Sequence, residues 1–155
     1  MGHECASMVA MEDLDTQILS LLARDGRMSY TDIGKATGLS TSAAQQRVRR
    51  LEQRGVITGY RAIIDPAALG KLLTAFISVT TSDPLEDTDL PPRLAELPEV
   101  TACYSVAGRA SYVVIAQVET PADLERVLTE IRVRGHANTE TQLVLSVPFA
   151  DRPLV

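Results

Sequence analysis

The chain has 155 residues, of which 45% are hydrophobic and 23% charged, and its formal net charge is −5 at pH 7. That length suits one large domain or two small ones, and no run reaches the roughly eighteen apolar residues that a membrane-spanning helix needs. No secretory leader precedes Leu14, and Cys5 and Cys103 stand far apart in unlike contexts, so a cytoplasmic protein without a disulfide is expected.

Charge divides the chain. Residues 1–64 carry eight Arg or Lys against seven Asp or Glu, net +1, whereas residues 65–155 carry seven against thirteen, net −6. Residues 1–11 lack a period and read as a mobile lead-in. From Asp13 to Arg24, Leu14, Ile18, Leu21 and Leu22 keep helical spacing, with Asp13 and Asp15 at the end where acidic groups suit the helix dipole. Gly26 ends that helix. Ser29 and Asp32 have capping-box spacing before a short helix starting near Ile33, and Gly38 supplies the positive φ that a sharp helix-to-helix corner requires. Ser40 or Thr41 caps a further helix running to about Arg54. Gly55 stops it, and VITGYRAIID alternates around Gly59 as a short hairpin. Together, residues 12–64 outline a winged helix-turn-helix module.

Asp65-Pro66 opens a linker over residues 65–71, and the periodicity then changes from helical to strand-like. LTAFISVTT, residues 73–81, reads as a strand. Pro84, Pro91 and Pro92 mark a loop leading into a helix with Leu94 and Leu97, closed by Pro98. Strands follow at 100–106 and 112–118, turning over Ala107 to Ser111. Pro121 opens a helix that buries Leu124, Val127, Leu128 and Ile131, and residues 139–147 form a last strand. The fold class is therefore α+β: residues 72–155 run strand, helix, strand, strand, helix, strand, the ferredoxin-like order. Its two helices cover one sheet face. The other face keeps apolar residues without cover, which points to a second copy of the chain and so to a homodimer presenting two helix-turn-helix units.

In the helix after Leu39, Ala44, Val48 and Leu51 form a buried stripe, leaving Gln45, Gln46, Arg49, Arg50 and Gln53 outward. Glutamine and arginine present the forked donors and acceptors that match adenine and guanine edges in the major groove. Ser42, Gln45, Gln46 and Arg49 are accordingly expected at or near bases, Arg47, Arg50 and Arg54 at phosphates, and Ser40 and Thr41 at the helix start facing double-stranded DNA. For an acidic protein this binding needs the arginine cluster to dominate within a Debye length of about 8 Å.

As a set, LDTQILSLLARDGRMSYTDIG, GLSTSAAQQRVRRLEQRGVITGYRAIIDPAALG, AFISV, YSVAGRASYVV and the closing LVLSV resemble the Lrp/AsnC family, the feast/famine regulators. The resemblance covers nearly the whole chain. It implies a sequence-specific transcriptional regulator, a dimer assembling into tetramers or octamers, and an amino-acid effector held between the sheet domains. By the same resemblance the effector turn is Ala107 to Tyr112, and Tyr104, Gly108, Arg109 and Ser111 would contact ligand opposite Thr139 or Thr141 of a neighbouring subunit. The turn departs from the family's pattern: Ser111 stands where an aspartate is usual, and Arg109 brings a positive charge to an often acidic loop.

Other residue types point elsewhere only weakly. Cys103, between Ala102 and Tyr104, reads as a small core residue, and His3 and His136 make neither a metal cluster nor a catalytic pair. The aspartates at 83–89 lack the alternation and glycine of a calcium loop and read as a solvated linker. No catalytic residue, metal or cofactor is expected, and the protein is read as a non-enzyme. Two rivals remain: a nucleoid-architectural DNA-binding protein indifferent to ligand, and a haem-precursor decarboxylase, which resembles the same two-domain arrangement. The second would need histidines or arginines gathered in the sheet cleft. The second domain holds one histidine, and the arginines concentrate on the recognition helix.

Overall fold

The computed structural model describes residues 12–81 and 89–155, so the lead-in at 1–11 and the acidic stretch at 82–88 lie outside the described residues. The chain divides into two compact units. One extends to Ile63 and takes in Phe149–Val155, and the other spans Ile64–Pro148. The last seven residues thus group with the helical unit, whereas sequence spacing places them at the end of the sheet domain.

The helical unit contains α1 (Asp13–Arg24), α2 (Tyr30–Thr37) and α3 (Thr41–Gln53). The starts of α2 and α3 are capped by side chains. Ser29 Oγ accepts the Asp32 amide at 3.1 Å, and Ser40 Oγ accepts the Ala43 amide at 3.2 Å, so Ser40 is the cap of α3 and Thr41 its first residue. Gly38 turns the corner between α2 and α3 with φ 74°. Ile18, Ile33, Ala44, Val48 and Leu51 meet in one core, which fixes the face that α3 turns outward.

The hairpin expected at residues 56–64 does not form within the chain. The amides of Val56 and Ile57 both donate to the Leu51 carbonyl, at 2.9 and 3.2 Å, so the first half of the would-be hairpin is spent closing the end of α3. Tyr60 then reaches back, its hydroxyl donating to Glu52 Oε1 at 3.0 Å. Beyond it Ile63 is 80% exposed.

In the second unit, β1 (Leu73–Thr81), α4 (Leu90–Ala95), β2 (Val100–Ser105), β3 (Tyr112–Val118), α5 (Pro121–Gly135) and β4 (Ala137–Leu143) build an antiparallel sheet of order β2-β3-β1-β4. This is the ferredoxin-like arrangement. Ala75, Ile77 and Val79 of β1 and Val114, Ala116 and Val118 of β3 pack under Leu90, Leu94, Leu97, Val127 and Ile131. A capping box between Thr120 and Asp123 starts α5 after the β3 turn.

Strand β4 begins two residues earlier than its alternation suggests and ends at Leu143. Its register against β1 explains this: Ala137 pairs with Thr81 and Leu143 with Ala75, and one more bond, from the Val144 amide to the Thr74 carbonyl at 2.9 Å, ends the ladder. Residues opposite one another share a face. The face away from the helices therefore carries Phe76, Ser78, Thr80, Ala102, Tyr104, Val113, Ile115, Asn138, Glu140 and Gln142. It is apolar toward β2 and β3 and polar toward β4.

Candidate nucleic-acid interface and ligand cleft

On α3 the buried stripe of Ala44, Val48 and Leu51 leaves Ser42, Gln46, Arg49, Arg50, Gln53 and Arg54 exposed, with Gln45 half-buried beside them. None of Arg49, Arg50 and Arg54 makes an ion pair with a described residue. At the helix start, Ser40 and Ser42 hydroxyls lie 3.1 Å apart, and Thr41 Oγ1 lies 3.4 Å from Thr31 Oγ1 of α2. The first turns of α2 and α3 thus present hydroxyls together. Amide forks and free guanidinium groups on an outward helix face match the donors and acceptors of base edges and phosphates.

Arg47 departs from the expected phosphate contact. Its guanidinium turns back toward α1 and donates to Asp15 Oδ1 and Glu12 Oε2, both at 2.8 Å. Those hydrogen bonds, with Glu12 first and Asp15 second, hold the Arg47 pKa above its ordinary value against a smaller opposing effect of burial. Asp15 is only 4% exposed, so Arg47 neutralises an otherwise isolated buried carboxylate.

In the sheet unit a cleft of about 330 Å³ opens beside the polar half of the uncovered face, lined by Ser78, Thr80, Asn138, Thr139 and Glu140 together with Arg109 and Ala110 of the β2–β3 turn. Of the residues expected at ligand, Arg109 and Thr139 line it. Ser111 does not: its amide donates to the Val79 carbonyl at 2.9 Å and its hydroxyl lies 3.2 Å from Thr81 Oγ1, so it fastens the turn to β1. Gly108, with φ 151°, shapes the same turn without lining the cleft. Thr141 pairs with Ile77 and Thr139 with Val79, so both side chains stand on the helix side of the sheet, and of the two only Thr139 borders the cleft. Thr139 Oγ1 accepts Arg132 Nε at 2.8 Å. Tyr104 lies on β2, three strand positions or about 14 Å from β4. It is 56% exposed and does not line this cleft within one subunit.

Sequence inspection passes over Ser78, Thr80, Asn138 and Glu140. Their signal is strand alternation, but a shift of one residue moves every side chain to the opposite face, and only pairing with β1 sets it. Cys103 lies half-buried on β2, where burial pushes its thiol up. Among the described residues no group of three or more His, Cys, Asp or Glu could hold a metal ion, and no helix is long and apolar enough to cross a membrane.

A helix-turn-helix with a free glutamine and arginine edge, followed by an antiparallel α+β domain with a polar cleft, defines a DNA-binding regulator with a small-molecule domain. Residues 11–52 match the AsnC-type helix-turn-helix domain and residues 74–154 the Lrp/AsnC ligand binding domain. The chain belongs to the Lrp/AsnC family of sequence-specific, DNA-binding transcriptional regulators. It is 43% identical over 143 residues to the HTH-type transcriptional regulator LrpA of Mycobacterium tuberculosis, covering 92% of this chain and 95% of the relative. The feast or famine regulatory protein of M. tuberculosis, complexed with L-methionine, is similar in structure, with TM-score 0.88, 43% identity and coverage of 92% and 97%. AsnC of E. coli gives TM-score 0.85 at 28% identity over 92% of this chain and 97% of its own.

Proposed function

We propose that this regulator reads operators through Ser42, Gln45, Gln46 and Arg49, holds phosphates through Arg50 and Arg54 with Ser40 and Thr41 at the helix start, and answers to an amino acid. In this reading Arg47 leaves the phosphate set and serves the fold. The DNA-binding domain is residues 12–64, the linker 65–71, and the sensing and oligomerising domain 72–148, with Phe149–Val155 grouping with the helical unit. The carrying observation is the outward edge of α3, where Gln46 and Arg49 stand free while Ala44, Val48 and Leu51 hold the helix down.

The ligand reading is supported by charge. Arg109 and Glu140 line one cleft with hydroxyl and amide groups between them, and a zwitterion offers a carboxylate to the first and an ammonium to the second. The M. tuberculosis relative bound to L-methionine makes an amino acid the natural class. The apolar half of the open sheet face, with Phe76, Val113 and Ile115, suits a second copy of the chain, giving a homodimer that pairs two readers and can build tetramers or octamers. Ligand then acts through unequal affinity for two assembly geometries. The protein acts in the cytoplasm, without a catalytic step or a cofactor.

Selection of an operator from random duplexes, followed by binding of Arg49→Ala, tests the reader: the variant loses operator preference, and unchanged preference removes Arg49 from readout. Calorimetry with all twenty amino acids at millimolar concentration tests the sensor, and an absence of heat from every one of them overturns it.

A further inference from the structure

We propose that Arg24, Arg27 and Arg61 form a second DNA-contacting face on the helical unit, which grips the sugar-phosphate backbone beside the stretch read by α3. The proposal rests on the DNA-reading function above. Arg24 is the last residue of α1, Arg27 follows in the turn to α2, and Arg61 lies in the segment beyond α3. All three line one groove of about 480 Å³, whose floor includes Leu22, Gly26 and Tyr60.

Two segments far apart in sequence are held together here by named contacts. A Cβ built at Gly26 would stand 3.4 Å from Tyr60 Cδ1, van der Waals contact distance, so the tyrosine ring lies against this turn. The Asp25 carboxylate accepts the Arg27 amide at 2.9 Å and fixes that turn, while the Tyr60 hydroxyl donates to Glu52 and fixes the other segment. The groove is therefore tied to α3 through Tyr60 and lies just ahead of α2 in the chain. Tyr60 is bonded to the last turn of α3, and Arg27 stands two residues before the cap of α2, whose first turn meets Thr41.

Charge selects the occupant. None of the three arginines makes an ion pair with a described residue, although Arg47, Arg126 and Arg134 all do. In a chain of net charge −5, three exposed guanidinium groups around one groove are left for an external anion. Asp151 lines the same groove without pairing with them. A polyanion with regularly spaced charges, continuing past the bases that α3 reads, satisfies several of these cations at once and releases its counterions.

The test uses the full chain, fluorescence anisotropy, a selected operator duplex and an unrelated duplex, each over a range of potassium chloride. Arg24→Ala/Arg27→Ala/Arg61→Ala is expected to weaken binding to both duplexes by the same factor. It should also flatten the plot of log affinity against log salt by about 0.9 for each phosphate that the variant no longer neutralises. The lysine version of the triple keeps most of the slope, and Arg49→Ala changes operator preference instead. Wild-type affinity and slope in the alanine triple overturn the proposal alone, as does a change in its oligomeric mass without DNA, which would assign these arginines to subunit contact. A wild-type protein that binds neither duplex overturns the DNA-reading function along with it.

Discussion

Arg47 Nη1 sits 2.8 Å from Asp15 Oδ1, joining the middle of the recognition helix to the first turn of α1 across 32 residues of sequence. The Arg47 side chain is 19% exposed and that of Asp15 only 5%, so the pair belongs to the interior edge of the three-helix unit. Within the same turn of helix as the exposed Gln46 and Arg49, Arg47 is turned to the other side, where a buried carboxylate faces it.

Arg47→Ala leaves Asp15 charged, buried and alone, which costs about 3 kcal/mol. Thermal unfolding should show a drop of about 4–8 °C for each kcal/mol in a unit of this size. Arg49→Ala, on the open face, should keep the wild-type midpoint. A stable Arg47→Ala protein would show that the contact with Asp15 matters little.

Gly34 of α2 lies so close to the following corner that a Cβ there would stand 2.6 Å from the Leu39 carbonyl oxygen. Backbone cannot step aside as a side chain can, so Gly34→Ala is expected to cost about 1–3 kcal/mol through overpacking. At Gly38 the space is open, and alanine meets only the strain of φ 74°, about 1 kcal/mol. Denaturant titration of the two variants should rank Gly34→Ala as the less stable.

The β4 register separates Glu140, which faces the cleft beside Ser78, from Thr141, which pairs with Ile77 on the helix side. For whichever amino acid gives heat with the wild type, Glu140→Gln should weaken binding by about tenfold as the charge-assisted bond becomes a neutral one. Thr141→Val should leave it within about twofold. The reverse order would place the ligand elsewhere.

Burial and the Glu52 carboxylate push the Tyr60 phenol up to about 12 from an ordinary 10.0. The folded protein then keeps its phenol proton where the unfolded chain has given it up, so this contribution to stability is whole below pH 10.0 and fades as the pH climbs through about 12. Phenolate absorbance of the wild type minus that of Tyr60→Phe should give a single step near pH 12. A difference step near pH 10 would mean that the Glu52 bond is not made in solution.

Much of the helical unit is legible in sequence because its rules are local. Ser29, Asp32, Gly38 and Ser40 mark helix ends within a few residues of themselves, and Ala44, Val48 and Leu51 declare a buried stripe by spacing alone. The same holds for the order of strands and helices between Leu73 and Leu143, which the alternation of periods and the prolines announce. The fate of the 56–64 stretch is not legible. Its alternation suits a hairpin, and only the competition of Val56 and Ile57 for the Leu51 carbonyl takes that possibility away.

What sequence determined by itself was the class of elements, the family and the outward edge of α3, since each depends on neighbours a few positions away. Tertiary structure decided which arginine braces the fold and which stays on the open face, because Asp15 reaches Arg47 only after α1 and α3 pack. It also decided that Glu140 rather than Thr141 faces the cleft. Strand alternation is degenerate between two faces, and the degeneracy is lifted only when β4 takes its register on a strand some sixty residues earlier in the chain.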